Sequence, residues 1–350
     1  MNIIKSIQII LFIVLGLLVS SFTFLFFKVP PGSGLSTLLY QGFGTIGGIA
    51  GTLQMTIPLL IIGVALTVPF TAKFWNIGAQ GQFILGEIFA TWIGLELVRT
   101  LPPFLDMLVA AVFGFIGGAI WAMPPTIMKL YQGANEVITT LMMNFVAVYL
   151  LLWLVSGPME GAQAKLVNAP ASAPIPTNYM LPTIPGTTIS SGIIIAVIIA
   201  IFFYWFLRYT NFGYELKLIG QGENVALYSG VRIKRNVILS MIISGGISGI
   251  AGMIMVYGIT QTLIPQFFSD VSTSFGYVGI AVAMIASLNP IAVIFASIFL
   301  AGILNGAYVM EAIYSVPIDV VISIYGIVMI FSLIGVMIDF EKLFRRRKIK

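Results

Sequence analysis

Apolar runs of about twenty residues recur along this chain, and in a bilayer they leave two architectures open. Hydrocarbon holds no water for backbone N–H and C=O groups, so a spanning chain must be a bundle of helices or a closed barrel. The runs do not alternate apolar with polar residues as barrel strands do, and each is long enough for a helix to cross about 30 Å. Composition agrees, with 59% of the 350 residues hydrophobic and 8% charged, against roughly 25% charged in soluble domains. The expected fold class is an all-α polytopic membrane protein.

Ten spans can be placed, at about Ile7 to Phe27, Ile46 to Phe70, Asn76 to Val98, Phe104 to Met128, Asn135 to Val155, Gly192 to Leu207, Val237 to Tyr257, Ser274 to Ser287, Ile291 to Met310 and Ile318 to Ile338. The first is too long for a signal-peptide core and lacks a convincing cleavage site, so it reads as a retained span. The eighth is short and glycine-rich, which suits a tilted, broken or partly re-entrant helix. An even count puts both termini on one side of the membrane. With that side cytoplasmic, Lys28, Arg99 and Lys165 fall outside and the other fourteen of the seventeen Lys and Arg fall inside, the bias that the positive-inside rule requires.

This topology divides the chain. Residues 1–45 hold the first span and an external glycine-rich segment. Residues 46–338 form the core, with an external loop over 157–191 and a cytoplasmic loop over 208–236, and residues 339–350 are a basic cytoplasmic tail. Spans two to five run opposite to spans seven to ten. Leu101 to Phe104 (LPPF) opens the fourth span and Leu288 to Ile291 (LNPI) opens the ninth, an echo that fits two inverted-topology halves, a common transporter plan.

The chain has no Cys and no His, which removes disulfides, thiol chemistry, His metal sites and Ser–His or Cys–His nucleophilic pairs. There is no GxxxxGK[ST] motif, so any ATP must be used by another subunit. The net charge of +5 is assigned to topology rather than to nucleic acid.

Polar residues inside the spans are the candidate site. Glu87 lies mid-span, where a carboxylate costs about 2.5 to 3.5 kcal/mol, so it should face the bundle interior. With Asn76 and Gln80 it is expected to form one helix face, as either a polar wall along a solute path or a tie between helices. Glu136, Thr140 and Asn144 form a second stripe; Glu136 suits a helix N-terminus, and the deeper Asn144 is the better pathway residue. Gly245 and Gly249 in SGGISGIAG have the spacing of close helix packing. Arg208, Glu215, Lys217, Glu223, Arg232, Lys234 and Arg235 crowd the loop over 208–236. Within it, Glu223 to Ser229 has room for about two helical turns, ended by Gly230. Its residues alone fit either a docking element or a solvated connector.

Four stretches, FWNIGAQGQFILGE, GANEVITTLMMNFVAVYLL, LIGQGENVALYSGVRIKRN with the following ISGGISGIAG, and GIAVAMIASLNP, resemble in order and spacing the permease subunits of ABC importers of the branched-chain amino acid, ribose and nucleoside superfamily. The resemblance covers about Ile46 to Met337. Its NIGxxGQ and NEVxxTxMxN pieces are most similar to the nucleoside and simple-sugar branch. It implies a plasma-membrane transport subunit, not an enzyme, that binds no cofactor itself and carries a nucleoside or related simple sugar. The implied partners are an ATP-binding subunit that uses ATP and Mg, a second permease, same or paralogous, and an external substrate-binding protein.

Carried onto this sequence, the resemblance implies a coupling helix with Gly220, Glu223, Asn224, Ala226 and Gly230. It also implies pathway positions at Asn76, Gln80, Gln82, Asn135 and Asn144, to which the residue reading adds Glu87. Relatives often carry Glu where this chain has Gln80 and a small residue where it has Glu87. Two alternatives stand beside this reading: an ABC permease for another small solute such as amino acids, and an ion-coupled secondary transporter. The latter usually needs several deep carboxylates, and here Glu87 alone is deep.

Overall fold

The computed structural model describes residues 3–97, 101–162, 164, 170–264, 275–314 and 318–337. Arg99, Lys165 and the basic tail at 339–350 lie outside the described residues. The helices are α1 (Ile3–Ser21), α2 (Pro31–Leu39), α3 (Ile46–Thr71), α4 (Ala79–Leu97), α5 (Pro103–Gln132), α6 (Glu136–Val155), α7 (Gly192–Tyr209), α8 (Asn211–Gln221), α9 (Glu223–Tyr228), α10 (Ile233–Met255), α11 (Phe275–Ile285), α12 (Pro290–Tyr314) and α13 (Ile318–Met337). Short π-helical turns extend α2 over Tyr40–Gly44 and α10 over Val256–Thr260. No strand occurs among the described residues, where two isolated bridges, Glu160–Ser172 and Thr183–Ser190, tie the longest loop to itself.

Among the described residues seven helical segments are long and apolar enough to cross a membrane, beginning at Ile10, Ile46, Pro103, Glu136, Gly192, Ile233 and Pro290. Helix α4, expected as a span, carries Gln80, Gln82, Glu87 and Glu96 within its length and is less apolar. Helix α11 has 11 residues, about 17 Å at 1.5 Å per residue, too short to cross alone.

Helix α3 is the central element. From Thr56 to Phe70 every side chain is buried, and it packs on α7, α10, α11 and α12. Exchanging the α3–α6 set with the α10–α13 set maps one group of pairings onto another. Helix α5 packs on α10 as α12 packs on α3, and α4 on α10 as α11 on α3. Proline opens both α5 and α12, Pro103 and Pro290, at the first helical position where its missing N–H costs nothing.

The packing depends on glycine. A side chain at Gly249 of α10 would run into the Gly114 carbonyl of α5, one at Gly118 into the Gly245 carbonyl, and one at Gly86 of α4 into the Gly249 backbone. The SGGISGIAG segment therefore lets three helices approach backbone to backbone. The glycine-rich residues of 30–45 do the same. They form α2 and its π turn, because Gly42 meets the Gly302 carbonyl and Gly306 meets the Leu38 carbonyl. Glycine here serves close approach between helices rather than chain reversal.

Gly249→Ala should lower stability by about 1 to 3 kcal/mol through overpacking, measured as a fall in thermal unfolding temperature in detergent. Gly47→Ala adds a methyl that meets nothing and should leave that temperature unchanged or slightly raised.

Candidate functional site

A polar cluster forms where the α3–α4 turn enters the bundle. The Asn76 amide N–H donates to Gln82 Oε1 at 2.9 Å and to Ser244 Oγ of α10 at 3.0 Å. Asn76 Oδ1 accepts from Gln82 Nε2 at 2.9 Å and from the Gly78 N–H at 3.1 Å. From α6, Asn144 Oδ1 accepts from the Gly81 N–H at 2.8 Å, while its Nδ2 donates to the Ile77 carbonyl at 2.9 Å and to Tyr277 Oη of α11 at 3.1 Å. Gln80 Oε1 accepts from the Gly276 N–H of α11 at 2.7 Å. All four amides are buried. The cluster thus ties the start of α4 to α6, α10 and α11.

Four of the six expected pathway residues, Asn76, Gln80, Gln82 and Asn144, meet here. Asn76 arrives by a different route than helical spacing, since α4 begins at Ala79 and the turn before it folds Asn76 back. Asn135 stays apart: it is exposed and caps α6, its Oδ1 accepting from the Val137 N–H at 2.9 Å. Glu136 is not the cap; it pairs with Lys129 at 2.7 Å.

Glu87 is buried two turns beyond Gln80, on the face of α4 that meets Gly252 of α10. No hydrogen bond reaches its carboxylate among the described residues. Gln80 Nε2, Thr91 Oγ1 and Ser248 Oγ are likewise buried without a partner there. The amides of Asn76, Gln82 and Asn144 thus tie helices together, while Gln80, Thr91 and Ser248 keep polar groups on α4 and α10 without a partner among the described residues.

Sequence reading missed Asp106 and Tyr257. Asp106, in the first turn of α5, is fully buried and accepts from the Tyr257 hydroxyl at 3.1 Å. Gly94 of α4 leaves the space that this hydroxyl fills. An acid near a helix start usually signals only a favourable dipole, so nothing local marks it as buried.

At the end of the bundle where α3 stops, the loop over 208–236 is two helices rather than one. Helix α8 is capped by Thr210, whose Oγ1 accepts from the Gly213 N–H at 3.2 Å. Gly220 lies against the Thr71 carbonyl at the end of α3. Helix α9 is bracketed by Gly222 at φ 152° and Gly230 at φ 74°, conformations that glycine alone adopts without strain. Ala226 is buried with Leu218 and Val231, so α9 has an inward foot. Outward it shows Glu223, Asn224, Val225, Leu227 and Tyr228, the last 94% exposed. Beside it lies a cavity of about 840 Å³ lined by Lys73, Lys129, Arg232, Lys234 and Arg235, with Glu136 and Glu223 as its acids.

Residues 48–333 match the family described as branched-chain amino acid transport system / permease component. Among curated relatives, the nucleoside ABC transporter permease protein NupB of Lactococcus lactis subsp. cremoris is 29% identical over 84% of this chain and 82% of its own length. The guanosine ABC transporter permease protein NupP of Bacillus subtilis is 28% identical over 91% and 90%. The glucose ABC transporter permease protein TsgB13 of Haloferax volcanii is 24% identical over 87% and 80%.

Asn144→Ala removes three hydrogen bonds from α6 to α4, the turn before it and α11, each worth about 0.6 kcal/mol in a membrane protein. It should destabilise the detergent-solubilised chain by about 2 kcal/mol in thermal unfolding, whereas Asn135→Ala, which removes only an exposed cap bond, should cost about 1 kcal/mol or less.

Proposed function

This chain belongs to the branched-chain amino acid transport system / permease component family, and from that premise we propose that it is the membrane permease subunit of an ATP-driven importer for nucleosides. It works with a separate ATP-binding subunit that uses ATP and Mg, a second permease, same or paralogous, and an external binding protein that delivers solute. The observation that carries the reading is α9: a short helix anchored on its inner side, with exposed apolar and acidic side chains on its outer side, linked to the core by Gly220 against Thr71. A soluble subunit pressing on Leu227 and Tyr228 moves α8 and, through it, the end of the central α3.

In this reading Gly220, Ala226 and Gly230 set the position of the coupling helix, while Glu223 and Asn224 face the ATP-binding subunit. Both termini are cytoplasmic, ten segments cross or enter the membrane, and the two exchanged sets of helices are inverted halves; the distribution of Lys and Arg supports that orientation. The core runs over 46–338, preceded by the first span and followed by the basic tail. The binding protein docks on the loop over 157–191. That loop is joined to the chain after α10 by hydrogen bonds from the N–H of Ser172 to the Leu263 carbonyl, from Ile175 to Gln261 and from Leu181 to Tyr257, so docking bears on α10 directly.

Along the solute path, Gln80 and Glu87 offer free groups, and Asn76, Gln82 and Asn144 hold the helices that present them. Asn135 stands at the cytoplasmic mouth. Neutral amide donors and acceptors suit ribose hydroxyls and base edges while holding solute weakly enough to release it. The two relatives named for a nucleoside and for guanosine support that solute class.

In proteoliposomes holding the assembled transporter, labelled guanosine should be taken up only with ATP, and ahead of ribose and amino acids. Uptake that follows an ion gradient and ignores ATP would overturn the reading. Leu227→Asp with Tyr228→Ala should cut ATP-driven uptake at least about tenfold, the loss of one interface anchor, with normal insertion. Ala226→Pro, which removes the N–H donated to the Gly222 carbonyl, should uncouple hydrolysis from uptake. Glu87→Gln keeps a hydrogen-bonding group of the same shape and should retain transport; abolished uptake would assign the carboxylate a charge-dependent role instead.

A further inference from the structure

A second cavity at the same end of the bundle, about 260 Å³, lies between the end of α7, α8 and the turn into α12, away from the coupling helix. Its polar lining is Arg208, Tyr204, Lys217, Thr71 and Asn289. The Arg208 guanidinium donates to Tyr204 Oη at 2.6 Å and lies 5.7 Å from the ring centroids of both Tyr204 and Tyr209. The aromatic rings fix its direction but supply no counter-charge. Neither Arg208 nor Lys217 has a carboxylate at ion-pair distance among the described residues. Asn289 spends its Oδ1 on the Ile291 N–H at 3.0 Å, so the positive start of α12 also faces this cavity. Two cations and a helix N-terminus around one opening leave an excess of positive charge that only an anion can offset.

The surface beside the cavity says which anion. Along α7, Ile194, Ile198, Ile201, Phe202 and Trp205 are each 50 to 59% exposed, at spacings that keep them on one side of the helix. The 18 residues of α7 span about 27 Å, close to the thickness of the hydrocarbon core. The stripe ends in Trp205 and Tyr209, the amphipathic rings that settle at headgroup level, and Arg208 follows there. We propose that this cavity holds the headgroup of an anionic phospholipid, its phosphate between Arg208 and Lys217 and its acyl chains along the exposed face of α7. A zwitterionic headgroup brings its own cation and cannot offset both side chains. Because Thr71 and α8 border the cavity, the bound lipid braces the junction through which α9 bears on α3.

The inference rests on the reading of the chain as a membrane permease, and its test is read on the chain itself. The assembled transporter, equilibrated with vesicles of equal parts phosphatidylglycerol and phosphatidylcholine and then purified, should retain phosphatidylglycerol preferentially when its lipids are quantified by mass spectrometry. Arg208→Gln and Lys217→Gln should each reduce that preference about fivefold, the effect of one cation near an anionic leaflet, and Arg208→Lys should keep most of it. Lys217 is exposed, so its variant tests the site without threatening the fold. An unchanged preference in both Gln variants overturns the proposal. So does release of the retained lipid by inorganic phosphate, which would assign the cavity to a soluble anion. A disulfide between two Ile198→Cys chains, otherwise free of cysteine, would put a second permease on the stripe and overturn it as well. Failure of guanosine uptake with lipid retention intact would sink the solute reading alone.

Discussion

Backbone-to-backbone approach at glycine is the interaction on which the rest of this structure depends. In hydrocarbon, burying a leucine against a helix gains little over leaving it against lipid, so helices associate through close packing and hydrogen bonds. Gly86, Gly114, Gly118, Gly245 and Gly249 bring α4, α5 and α10 together, and Gly42, Gly302 and Gly306 do the same for α2 and α12. Once α4 and α10 lie this close, the polar side chains on their facing surfaces are shut away from lipid and must find partners or remain unmatched.

Both outcomes occur, and they separate structure from chemistry. Asn76, Gln82 and Asn144 use their amide groups on neighbouring helices and loops. Gln80, Glu87, Thr91 and Ser248 retain groups that nothing in the described bundle satisfies. A buried unmatched polar group is costly, and a transport subunit is a setting in which that cost has a use, since a passing solute can satisfy the group for a time. Asp106 and Tyr257 are intermediate: their hydrogen bond ties α5 to the π turn of α10, while one oxygen of Asp106 stays unmatched.

The loop over 208–236 shows how local chemistry and tertiary contact divide a task. Thr210 starts α8, and Gly222 and Gly230 delimit α9, all by rules that act within a few residues. What anchors α9 to the bundle is non-local. Gly220 lies against the end of α3, and Ala226 sits in a small apolar cluster with Leu218 and Val231. A solvated connector would have neither contact. The cations around the loop line more than one cavity, and the one that holds Arg208 and Lys217 adjoins the exposed apolar face of α7.

The helical class, the membrane setting, the family and the place of α9 were legible in the sequence, because apolar run length, charge asymmetry and turn residues act over short distances. Helix α8 was not read, because its charges drew it into the loop, although Thr210 supplies a local cap. The helix over 31–39 was not legible, because glycine permits both a turn and a close helix contact, and only the presence of Gly302 and Gly306 opposite it decides between them. Asn76 and Asn144 were recognised as polar pathway candidates, but whether their amides face a solute or neighbouring helices depends on which elements the fold brings within about 3 Å, a distance that no spacing along the chain encodes. The burial of Asp106 was hidden for the same reason. The sequence by itself determined the helical class, most of the long apolar helices and the local ends of α9. Only the tertiary structure decided which polar groups were consumed in holding those helices together and which were left free to bind.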